Sequence, residues 1–68
     1  MAFKPFVIFE DGKWQTLTFK SYRHIIKSIP DLTRRTGGDF IIYRSRRGQW
    51  GEWFERYEGG NKVKEGWM

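Results

Sequence analysis

Sixty-eight residues with thirteen Lys or Arg, eight Asp or Glu and no cysteine set firm limits on what this chain can be. Without cysteine there is no disulfide and no thiolate metal site, and the single histidine, His24, excludes a histidine-rich metal cluster. No segment approaches the roughly 20 apolar residues of a membrane helix, and residues 1–20 lack the apolar stretch of a secretory signal, so a cytoplasmic, non-membrane protein is expected.

A chain this short buries only about 60% of the surface that unfolding exposes. Aromatic mass offsets the small core: six Phe, four Trp and three Tyr, each able to bury roughly 150–250 Å². Charge is concentrated as well. Residues 20–47 carry Lys20, Arg23, Lys27, Arg34, Arg35, Arg44, Arg46 and Arg47 against Asp31 and Asp39 alone. The segments on either side are near balance, so the net charge of +5 lives in the middle of the chain. Such segregation is a first sign of a polyanion-binding face; its alternative is a solvated surface that keeps the protein soluble.

In chain order, residues 3–20 read as a β-hairpin. FVIFE suits a strand, Asp11-Gly12 is a two-residue turn signal, and KWQTLTFK alternates with period two. A two-residue turn pairs Phe9 with Trp14 and Phe6 with Leu17. It predicts a core face of Phe6, Ile8, Leu17 and Phe19, with Val7, Phe9, Trp14, Thr16 and Thr18 opposite.

Residues 21–29 read as a helix capped by Ser21. Tyr22, Ile25, Ile26 and Ile29 form its apolar stripe. Arg23, His24, Lys27 and Ser28 form a basic face. Pro30 is expected to end or kink the helix, with one further turn available to Asp31–Arg35, and Gly37-Gly38 stops it. Residues 39–47 read as a central strand covered on both faces, with Phe40 and Ile42 opposite Ile41 and Tyr43. Gly48 marks a turn. Trp50, Trp53, Phe54 and Tyr57 fit either helical or strand spacing; Gly51 and the lack of a capping residue favour a strand. Trp50 and Phe54 are assigned to the core, and Trp53 or Tyr57 to the surface. Glu58 to Asn61 is a turn, and residues 62–67 supply a fifth strand. The expected fold is α+β in the order ββαββ(β), one helix on one face of an antiparallel sheet of four or five strands, forming a single domain. The other sheet face is left without cover.

Catalysis is disfavoured. A nucleophile needs a base oriented by a third group, and His24 sits between Arg23 and Lys27 on a solvated face. Glu52, Glu55 and Glu58 are read as solubilising the aromatic segment or pairing with Arg56. No P-loop, zinc-ligand spacing or nucleophile elbow occurs. The chain is expected to be a non-enzyme without cofactor or metal.

Binding has a mechanism. Lysines and arginines neutralise phosphates, aromatic rings stack on unpaired bases, and arginines on a β-ribbon reach guanine edges. A nucleic acid is the leading expected partner, with Arg23, Lys27, Arg34, Arg35, Arg44, Arg46, Arg47 and Trp53 as contacts. The run YRSRRGQWGEW, residues 43–53, resembles the first hairpin of plant-type AP2/ERF DNA-binding domains, which often read YRGVR…PWGKW. The likeness spans about eleven residues with a one-residue gap. It implies major-groove contacts by Arg44, Arg46, Arg47, Trp50 and Trp53. Glu52 stands where that family usually has a basic residue, and the helix here precedes the hairpin instead of following it. The alternative is a small protein-binding inhibitor or adaptor, monomeric or homodimeric, docking through Phe9, Trp14, Tyr43, Trp53 and Tyr57. Glu52, Glu55, Glu58 and Glu65 suit that alternative, since they would repel a phosphate backbone if they shared the arginine face.

Overall fold

A computed structural model of the chain describes residues 3–46 and 51–67. Five strands, β1 (Phe6–Glu10), β2 (Trp14–Thr18), β3 (Phe40–Arg44), β4 (Trp53–Glu58) and β5 (Asn61–Trp67), form one antiparallel sheet in the order β2-β1-β3-β4-β5. The helix α1 (Tyr22–Thr36) connects β2 to β3 and packs over β1 and β3. This is the expected α+β arrangement, with the fifth strand present and residues 53–58 extended.

The first hairpin departs from the expected register by one residue. Glu10 pairs with Trp14, Phe9 with Gln15 and Val7 with Leu17, so the loop is Asp11–Lys13, with Gly12 at φ 77°. A one-residue slip moves every side chain of one strand to the opposite face. Val7 and Phe9 therefore enter the core, at 0% and 1% exposure, while Phe6 and Ile8 turn outward. FVIF is apolar at every position, so either phase satisfies its hydropathy. Phe9 is thus a core residue and not a docking residue.

Around Val7 and Phe9 the core gathers Ile25, Leu32, Phe40, Ile42 and Tyr57, with Leu17, Phe19, Tyr22 and Ile29 packed against them. Phe40 and Tyr57 stack with ring centroids 4.8 Å apart. This corrects the assignment of Tyr57 to the surface. Phe54, placed in the core by the sequence, instead lies on the outer face, and Trp53 shares the helix side with Tyr57. Trp50 lies outside the described residues. The central strand β3 is covered by the helix on one face only; Ile41 and Tyr43 stay partly exposed.

Ser21 caps α1, its backbone extended (φ −155°) and its hydroxyl accepting from the His24 amide. The helix does not stop at Pro30 but runs to Thr36. Proline forfeits the bond to the Ile26 carbonyl, and Pro30 and Ile26 are both exposed, so the break falls on the solvent side of the helix. Continuing the helix seats Leu32 at 4% exposure. The buried stripe is accordingly Tyr22, Ile25, Ile29 and Leu32, and Ile26, at 40% exposure, is not part of it.

Gly37 ends the helix in the left-handed conformation (φ 72°). Gly38 (φ 91°) runs so close to the β4–β5 turn that an added Cβ would collide with the backbone of Gly59 and Gly60. The Gly60 amide donates to the Gly38 carbonyl at 3.1 Å, and the Gly59 amide to Asp39 Oδ1 at 3.1 Å. The two glycine pairs, a helix stop and a turn in the sequence, form one backbone crossing.

Candidate functional site

Strand direction sorts the charges. Phe6, Thr18, Tyr43, Phe54 and Gly66 line up across one end of the sheet. Lys4 precedes that row, Lys20 follows it, and α1 begins there with Arg23. Arg44, Arg46, Trp53 and Trp67 lie at the same end, as does the acid Glu52, immediately before Trp53. Lys4, Lys20, Arg23 and Arg46 are exposed, and none of them has a carboxylate partner among the described residues. The opposite end carries Glu10, Asp11, Asp39 and Glu58 beside Lys13, Arg34 and Arg35. The helix places Arg34 and Arg35 roughly 16–18 Å along its axis from Arg23. Arg34 pairs with Asp31, and the Arg35 guanidinium covers the Phe9 ring at 4.9 Å. Lys27 is exposed midway. The structure therefore brings Arg23, Arg44, Arg46 and Trp53 together and leaves Arg34 and Arg35 apart from them. Arg47 lies outside the described residues.

Arg44 does not reach outward as the sequence suggested. In β3 it shares the helix-side face with Phe40 and Ile42, opposite Trp53. Its Nε donates to Glu55 Oε2 at 3.2 Å, its Nη2 lies 3.1 Å from the same oxygen as an ion pair, and its guanidinium lies 3.9 Å from the Tyr22 ring centroid. Glu55 is 1% exposed and also accepts from the Tyr22 hydroxyl at 2.6 Å. A buried carboxylate needs such partners to remain charged. Burial, reinforced by the bond to Glu55, pushes the Tyr22 hydroxyl well above its ordinary value of 10.0. The reading of Glu55 as a solubilising residue is overturned. Its sequence signal was phase: as a strand, Trp53, Glu55 and Tyr57 share one face. Glu58 does pair with Arg56, at 3.1 Å.

Beyond the Arg44–Glu55 pair, Trp53 and Trp67 meet edge to face at 5.1 Å. Arg46 lies over the Trp53 ring at 4.3 Å. The Trp53 indole N–H is shielded from solvent without an acceptor among the described residues. Trp67, which the sequence pattern did not single out, is 42% exposed. On neighbouring β5, Lys62 and Glu65 pair at 2.8 Å; this bond raises the lysine pKa and lowers that of the carboxylate.

The outer sheet face has no helix or strand over it among the described residues. It carries Phe6, Ile8, Trp14, Ile41, Tyr43 and Phe54. Phe6 and Tyr43 stack at 5.0 Å, and Trp14 is 67% exposed. Its charged residues, Glu10, Arg56, Glu58 and Lys64, balance. A depression of about 380 Å³ beside Trp14 includes Ile8, Ile41, Arg56 and Glu58 in its walls. The outer face is thus apolar and charge-balanced, and its Phe6, Tyr43 and Phe54 lie at the same end of the sheet as the cations.

Among the described residues no group of three or more His, Cys, Asp or Glu side chains is placed to hold a metal ion, and no helix is long and apolar enough to cross a membrane. Comparison of the chain with protein families, with curated proteins and with solved structures finds no match.

Proposed function

We propose that this protein is a small, cytoplasmic, non-enzymatic module that binds nucleic acid at the basic end of its sheet. The observation that carries the reading is the gathering of Lys4, Lys20, Arg23 and Arg46 at one end, exposed and without carboxylate partners among the described residues, beside the Trp53 and Trp67 rings. The cations neutralise phosphates and release counterions. The indoles offer stacking surfaces to unpaired bases, and Arg46 is already held over one of them. Arg44 takes a positioning role in this scheme: tied to Glu55, it supports the ring cluster.

The test is a salt titration of binding to random single- and double-stranded oligonucleotides, followed by tryptophan fluorescence. Arg23→Ala with Arg46→Ala should weaken binding and reduce the slope of log K against log salt by about 0.7–0.9 for each phosphate no longer neutralised. Arg34→Ala, at the other end, should change little. Wild-type protein that fails to bind at low salt, or a double variant with unchanged affinity, refutes the assignment. A second reading, a protein-docking inhibitor or adaptor, draws on the charge-balanced outer face, the exposed Trp14 and the partly exposed Tyr43. It would take precedence if oligonucleotides do not bind.

A further inference from the structure

The two edges of the sheet are built differently. On β5 the edge is guarded: Lys62, Lys64 and Glu65 line it, and an irregularity opposite Arg56/Tyr57 interrupts the ladder. Charges and bulges of this kind keep an edge from pairing with another strand. The other edge, β2, reads Trp-Gln-Thr-Leu-Thr, with no charge, no proline and an unbroken register against β1. No strand lies beyond it among the described residues.

Its free hydrogen-bonding groups can be identified. The Phe19 amide donates to the Pro5 carbonyl at 2.9 Å, and the Asp11 amide to the Lys13 carbonyl at 2.9 Å. Lys13 and Phe19 thus direct their backbone groups toward the β1 side. In an antiparallel ladder this alternates along the strand. Gln15 and Leu17 therefore face β1, and Trp14, Thr16 and Thr18 present their N–H and C=O groups to the open edge. All three residues are exposed.

We propose that β2 pairs antiparallel with β2 of a second copy of this chain about a twofold axis at Thr16. The sequence of the strand is self-complementary in that register. Thr16 meets Thr16, and Trp14 meets Thr18, which matches outward-facing backbone to outward-facing backbone and closes about six hydrogen bonds. Trp14 then lies across from a β-branched residue, a favourable cross-strand pair. Lys20 continues past Thr18 to the Asp11–Gly12 turn of the second copy, placing opposite charges together, while Lys13 falls across from Phe19, so no like charges meet. The axis is perpendicular to the sheet, so both helices lie on the same side of one continuous sheet. The proposal rests on the edge alone and stands or falls separately from the nucleic-acid reading.

The test uses the full chain and two opposed substitutions. Wild type should sediment at twice the 8.2 kDa chain mass at high concentration. Thr16→Lys and Thr16→Glu each place like charges directly across the axis and should raise the dimer dissociation constant about tenfold or more. Thr16 is exposed, so thermal unfolding of each monomer should stay cooperative. Mixing the two variants should restore a dimer of one lysine and one glutamate chain. Amide exchange provides an independent reading on the unaltered chain: Trp14, Thr16 and Thr18 should become protected as concentration rises. A monomer at all concentrations overturns the proposal. So does a dimer that neither variant weakens, or protection that appears on β5 instead.

Discussion

Removing the Arg44 side chain should unfold much of the population, and the structure sets the scale. Glu55 is 1% exposed, and its cationic partner is Arg44, through a hydrogen bond from Nε and an ion pair with Nη2. Breaking a buried pair by deleting one partner costs about 3–5 kcal/mol, because the other charge stays buried. A 68-residue domain has roughly 3–10 kcal/mol in total. Arg44→Ala should therefore lower the urea midpoint by about 3–5 M, at a slope near 1 kcal/mol per M, or leave no folded baseline. Glu55→Gln should cost only about 1–2 kcal/mol, because Arg44 keeps 26% side-chain exposure and can turn toward water. The double variant carries a neutral amide that Tyr22 can still bond, so it should recover most of what Arg44→Ala loses. Urea melts followed by tryptophan fluorescence give the coupling energy, expected to be about 2 kcal/mol or more. Additive losses, or an Arg44→Ala loss below about 1 kcal/mol, would show that Glu55 is solvated and that the pair does not hold this end of the core together.

The glycine crossing makes a sharp contrast. Gly38→Ala should destabilise by about 2–6 kcal/mol from backbone strain and overpacking, whereas Gly37→Ala, with open space around its Cβ, should cost about 1–2 kcal/mol; equal losses in chemical melts would refute the crossing. On the helix, Ile25→Ala should cost about 2–5 kcal/mol and Ile26→Ala less than about 1 kcal/mol. The reverse order would place the wrong face of α1 on the sheet. Alkali should destabilise the protein. The Tyr22 hydroxyl titrates higher when folded than its ordinary 10.0, so the folded state holds a proton that the unfolded chain releases, and its contribution is full below pH 10 and declines as pH rises further. Melting temperature should fall above about pH 10, less steeply in Tyr22→Phe; stability that stays level through about pH 11.5 would refute this reading.

Element order and type were legible because local chemistry specifies them. Asp11-Gly12 turns the chain, Ser21 starts a helix, Gly37 ends it, and Gly59-Gly60 reverses it again. Register was not legible. An Asp-Gly pair serves loops of two or three residues, and the uniformly apolar Phe6–Phe9 run fits a core in either phase. Pro30 misled because its cost depends on where the orphaned carbonyl points, which only the packed helix decides. The site divided along the same line. The excess of cations in the middle of the chain was visible, but the sharing of one end by Arg23, Arg44 and Arg46 follows from strand direction. Glu55 was hidden because a lone acid among aromatics looks like a solubiliser until an arginine from a neighbouring strand is found diagonally across from it.

The pairing of β1 with β3 spans only three residue couples, Phe6 with Tyr43, Val7 with Ile42 and Ile8 with Ile41. On either side of it lie units that are local in sequence, the β1–β2 hairpin and the β3–β4–β5 meander. The sheet therefore has a seam, and α1, packed on β1 and β3, is the bolt across it. Local opening follows such lines. Were the helix lifted, only those three couples would join the hairpin to the meander, with Val7 and Ile42 at their centre.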